Sequence, residues 1–126
     1  MIIVKTSRHH VECLKYRFFP SINMYKLSRV QNVSHLSVLD EQFLTALIIN
    51  GILSEIEHEI NKKLVNTSGT MITFKFSDAQ GVVLYKTLLA HQIPSQEIYM
   101  DLVRNQIIQI IDKQLNTSMW ISNASI

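Results

Sequence analysis

The sequence predicts a mainly α domain of about three main helices, near 37–65, 77–91 and 95–115, with one short strand near 71–76. Three observations carry this. Long stretches repeat apolar residues at helical spacing, one six-residue stretch alternates with period two instead, and short turn clusters separate them.

The first helix follows Ser37-Val38-Leu39-Asp40, which has the pattern of a capping box with an acid at the positive end of the helix dipole. Leu44, Ile48, Ile52, Ile56, Ile60 and Leu64 then recur every four residues, and Phe43, Leu47 and Leu53 widen the stripe in its first half. Asn66-Thr67-Ser68-Gly69 ends it.

Ile72, Phe74 and Phe76 next alternate with Thr73 and Lys75, the pattern of a strand with one buried face. A lone strand cannot satisfy its backbone ladder. Its expected partner is Met1 to Val4, Met119-Trp120-Ile121, or the same strand of a second chain. Ser77-Asp78-Ala79-Gln80 is a stronger capping box and starts the second helix, with Val82, Tyr85, Leu88 and Leu89 inward. Pro94 closes that helix, because it disfavours helical backbone at Ile93. The third helix starts at Pro94 or Ser95, repeats Tyr99, Val103, Ile107, Ile111 and Leu115, and stops before Asn116-Thr117-Ser118.

The predicted core is Leu44, Ile48, Ile52, Ile56, Leu88, Ile107 and Ile111. Residues 37–116 are expected to form the helical domain. Residues 1–36 read as a basic arm whose order the sequence leaves open, since Val11 to Phe19 is apolar and basic without a clean period and Pro20 interrupts it; the alternative is that they fold back over the helices, with Leu14, Phe18, Phe19 and Ile22 as a lid. Six cations stand there against Glu12 alone, a net of +5 up to residue 35 that leaves −3 for the remainder of a +2 chain. Residues 117–126 read as a polar tail anchored by Trp120.

Composition narrows the function. With 126 residues, 47% hydrophobic and 17% charged, the chain suits one packed domain, not a disordered segment. The apolar run Ala46 to Ile49 is far below the ~20 residues that span a bilayer. No signal peptide is recognisable, and Cys13 is the only cysteine, so a cytoplasmic location is expected. The sequons at Asn32, Asn66, Asn116 and Asn123 are assigned no role on that reading.

No residue set has the form of a catalytic or metal centre, and no cofactor is expected. His9, His10 and Cys13 have soft-metal character without a second ligand cluster at zinc spacing. Glu55, His58 and Glu59 share a helix face where solvated charges belong, and Lys62 stands where His-Glu-x-x-His needs its second His. Asp101 is placed to pair with Arg104, and His91 to meet the negative end of the second helix as a partly positive imidazole.

The leading expectation is therefore a non-enzymatic interaction module, pairing with itself or docking on another protein through apolar faces too broad for one small core. Phe43, Leu47, Ile49, Leu53, Ile108 and Ile110 are its interface candidates. The alternative is nucleic-acid binding by Lys15, Arg17, Lys26 and Arg29, which interleave with aromatics, or by Lys75 and Thr73 on a strand-helix-helix ribbon laid down by two chains.

Overall fold

In the computed structural model, which describes residues 1–33, 35–37 and 40–124 with side chains through residue 116, the chain is mainly helical around a small antiparallel sheet. The partner of the predicted strand is the N-terminus. Strand β1 (Ile2–Ser7) pairs with β2 (Met71–Phe76), with Ile2 opposite Phe76, Val4 opposite Phe74 and Thr6 opposite Ile72. Those six residues point to the same face and are buried, as period-two geometry requires. The outer edge of β1 is covered by the Gln114 amide, which accepts from the Ile3 N–H at 2.8 Å and donates to the Ile3 carbonyl at 2.6 Å.

Residues 8–32 are a near-continuous helical run instead of an arm. Helix α1 (Arg8–Cys13) passes through one π turn (Leu14–Phe18) into α2 (Phe19–Asn32), with Pro20 in the first turn of α2. A π turn inserts a residue into the helical repeat. Val11, Leu14, Phe18, Phe19 and Ile22 are consequently all buried, including two consecutive phenylalanines that no α-helix would place on one face. Residues 1–36, read as an arm, thus supply eight of the twenty residues in the core cluster, and Leu14, Phe18, Phe19 and Ile22 are buried as the alternative of a fold-back lid requires.

Helix α3 (Glu41–Asn66) begins after Asp40, which makes no side-chain cap bond; Ser37 donates to Asp40 Oδ2 at 3.5 Å, and Val38 and Leu39 lie outside the described residues. Ala46, Leu53, Ile56 and Ile60 are its buried positions, with Ile49, Ile52 and Leu64 packed beside them. The core prediction fails at Leu44 and Ile48, which are 42% and 61% exposed. At 3.6 residues per turn, a step of four overshoots one turn by about 40°, so the ladder from Leu44 to Leu64 winds through roughly 200°. It starts on solvent and ends on the core. Steps of three and four, from Ala46 through Ile49, Leu53, Ile56 and Ile60, stay on one side.

At the far end of α3 the Arg8 guanidinium donates to the carbonyls of Leu64, Thr67 and Gly69, with Leu64 at 3.1 Å and Gly69 at 3.2 Å. Helix α4 (Asp78–Ala90) carries the predicted capping box: Ser77 Oγ accepts from the Gln80 N–H at 3.1 Å, and Gln80 Oε1 accepts from the Ser77 N–H at 2.9 Å. Its buried positions are Gly81, Leu84 and Leu88; Val82 and Leu89, expected inside, are exposed. Helix α5 (Ile98–Ala124) starts one turn after Pro94 and continues through Asn116-Thr117-Ser118, so the expected tail is helical backbone to Ala124. Met100, Val103, Ile107 and Ile111 bury its inner side. The anchoring role of Trp120 falls outside the described side chains.

Candidate functional site

The basic residues considered for nucleic acid are largely turned onto their own fold. Arg17 pairs with Glu97 at 2.7 Å, Lys26 donates to Ser54 Oγ at 2.9 Å, and Arg29 donates to Asn50 Oδ1, whose amide in turn donates to the Lys26 carbonyl at 3.1 Å. The bonds of Lys26, Arg29 and Asn50 lace α2 to α3. Lys15 lies 5.2 Å from the centre of the Tyr16 ring, and Lys75 is exposed on β2. β2 pairs along one edge with β1 of the same chain.

Candidate metal and acid/base groups separate. His10 shares a 3.0 Å hydrogen bond with Thr6 Oγ1 through Nδ1 and meets Tyr99 edge-on, while His9 faces outward near Glu12. Cys13 is buried, and burial pushes its thiol pKa up, away from thiolate reactivity. Glu55 accepts from Gln80 and Glu57 from Asn23, so both serve packing contacts. Among the described residues no three His, Cys, Asp or Glu side chains are grouped to hold a metal ion. No helix among them is long and apolar enough to cross a membrane. Asp101 pairs with Arg104 at 2.8 Å, as the spacing predicts.

The interface candidates divide sharply. Leu53 is fully buried and belongs to the core, which removes it from any surface; Phe43, Ile49, Ile108 and Ile110 are half-buried, the last three against the core. Only Leu47, at 44% exposed, stands well out. Its neighbours on the surface are the residues expected inside. Leu44, Leu47, Ile48 and Gly51 follow the i, i+3, i+4, i+7 pattern of a single helix face, opposite the face that Leu53, Ile56 and Ile60 bury. A Cβ built on Gly51 meets no atom within 4 Å, so the face opens onto clear space there. Other exposed apolar positions, Met24 with Leu27 on α2 and Ile98 with Leu102 on α5, give out after about one turn.

A second feature is a cleft of about 530 Å³ between α2 and the end of α4, lined by Tyr25, Arg29, Asn32, Thr87 and His91 among others. His91 sits at the C-cap of α4, yet its imidazole does not play the expected cationic part. Burial and, secondarily, the Arg104 charge hold its pKa below the ordinary 6.5, so it is neutral. The cation at this helix end is Arg104, whose Nη1 donates to the His91 carbonyl at 2.8 Å. The imidazole packs against Phe18 at 5.0 Å and meets Tyr25 edge-on at 6.5 Å.

The chain is thus mainly helical with a two-stranded sheet, and among the described residues a two-turn apolar face of α3 is exposed. No family model, no curated protein and no solved structure matches the chain.

Proposed function

We propose that the chain is a non-enzymatic interaction module that pairs with a second copy of itself through the outer face of α3. The observation that supports this is the uninterrupted stripe Leu44, Leu47, Ile48 and Gly51, two turns of a helix already packed on its other side. The stripe is nearly self-complementary. If two α3 helices cross antiparallel about a twofold axis between Leu47 and Ile48, those two residues meet each other's counterparts and Leu44 lies over the partner's Gly51. The larger side chain then fills the open space left by the smaller one, as a closed dimer interface with the same patch on both subunits requires.

An inclined crossing near −50° suits this pairing, since close approach at a glycine favours it and only the central turns need touch. It also separates the ends of the stripe, where Asp40 and Glu55 would otherwise face like charges across the axis. Removing exposed leucine and isoleucine surface from water favours association by roughly 25 cal/mol per Å².

Sedimentation equilibrium at micromolar concentration tests the reading. A mass approaching twice the 14.5 kDa of the chain, returned to a single chain by Leu47→Glu or Ile48→Glu, is the expected outcome. Both positions are exposed, so these changes leave the core intact. A monomer mass that persists as concentration rises rejects self-pairing.

A further inference from the structure

We propose that the cleft between α2 and the end of α4 binds a small organic monoanion, an aromatic-type carboxylate, held by Arg29 and hydrogen-bonded at His91. Four features of the cleft carry this. First, His91 is only 8% exposed, yet neither ring nitrogen has a hydrogen-bond partner among the described residues; its ring makes aromatic contacts only. Neither nitrogen is fully enclosed, so both can bond to a molecule in the cleft. Here those nitrogens are left for whatever enters the cleft that the ring lines.

Second, the charge is of one sign. Among the described residues Arg29 is the only charged side chain in the lining of this cleft, with Glu41 on the neighbouring cleft that Arg29 also borders, and its bond to Asn50 uses one of five guanidinium N–H groups. The planar fork that remains suits a carboxylate. Because His91 is neutral, one guanidinium balances one negative charge, which favours a carboxylate over a phosphate dianion.

Third, the remaining lining pairs donors with apolar surface. Ser28, Asn32 and Thr87 offer hydroxyl and amide groups around Arg29, while the Tyr25 ring and Ala90 supply an apolar wall for the body of the ligand. Fourth, a volume of about 530 Å³ falls within the range of small-molecule sites. The lining shares no residue with the Leu44, Leu47, Ile48 and Gly51 stripe of α3, so separate variants test binding and self-pairing.

The test is an NMR titration of the whole chain with benzoate, and with benzamide as a neutral probe of the same shape. Saturable shifts confined to residues 25–32 and 87–92 are expected with benzoate at about millimolar affinity, the scale open to so small a ligand. Benzamide should bind at least ~10-fold more weakly, the signature of charge recognition. Arg29→Gln, which keeps a donor for Asn50, should abolish the benzoate shifts. Should that variant unfold, Tyr25→Ala, at a position 57% exposed, serves instead and should weaken binding several-fold. Absence of saturable shifts, equal binding of benzamide, or benzoate binding unchanged in both variants would overturn the proposal.

Discussion

Gly81 and Ile2 touch across the junction of α4 and β1: a β-carbon at position 81 would lie 2.6 Å from Ile2 Cγ1 and 3.1 Å from its Cβ. Ile2 is fully buried and its backbone is held in the sheet, so it cannot retreat. In an exposed helix Gly→Ala stabilises by about 1 kcal/mol. Here Gly81→Ala should destabilise by about 1–2 kcal/mol net, because overpacking a filled site outweighs the helix propensity gained. Shortening the opposing side chain with Ile2→Ala should make the added methyl less costly. Chemical denaturation of the two single variants and the double variant checks this, and additive losses would show that the two sites do not touch.

Ile56 and Ile48 separate the two faces of α3. Ile56→Ala should cost about 2–5 kcal/mol, since the residue is fully enclosed. Ile48→Ala, at a site 61% exposed, should change the stability of the monomer by less than ~0.5 kcal/mol. Comparable losses for both in urea melts at low protein concentration would mean that the face is covered within one chain.

How far the sequence revealed this fold depends on how local each signal is. The Ser77 cap and the alternation Ile72-Phe74-Phe76 are set by neighbouring residues, and both appear as read, with Ser77 bonded to Gln80 and the three apolar side chains inside. The α3 stripe was misplaced because a four-residue repeat looks like one face over two turns but rotates away over six. Residues 8–32 concealed their helix because the π turn resets the register between Leu14 and Phe19, leaving no period to count. The helix starts where the pairing of β1 with β2, more than sixty residues away, gives way to the Ser7 cap, whose Oγ accepts from the His10 N–H at 3.3 Å. The His91 cleft had no local sign at all, since Arg29 and His91 are far apart in the chain and meet only through packing.

Arg8 illustrates the same long-range dependence in a form that can be measured. Its guanidinium gathers the carbonyls of Leu64, Thr67 and Gly69 at the negative end of α3, while its own backbone N–H donates to the Thr70 carbonyl at 2.8 Å. Arg8→Met keeps the stem and removes the donors, and should cost about 1–2 kcal/mol, the scale of charge-assisted bonds discounted for their partial exposure to water. Amide exchange should speed up at residues 64–67 first. Unchanged protection there would show that the guanidinium is not holding the helix end.

His91 gives the fold a dependence on acid whose direction is determined by its surroundings. Burial beside Phe18, with Tyr25 on one side and the Arg104 charge nearby, lowers its pKa in the folded chain below the 6.5 it has when exposed. Above 6.5 the imidazole is neutral folded or unfolded, and pH has no leverage through it. As pH falls below 6.5 the unfolded chain takes up the proton while the folded chain resists, so stability declines until the pH passes the lower, folded-state pKa. His91→Asn keeps a polar side chain of similar reach and removes the titration. Unfolding free energies at about pH 7.5 and 5.5, spanning the ordinary histidine range, should therefore fall less in His91→Asn than in the parent chain. Losses from the carboxylates are common to both and cancel in the comparison. An equal fall in the two proteins would mean that His91 takes up its proton as readily folded as unfolded.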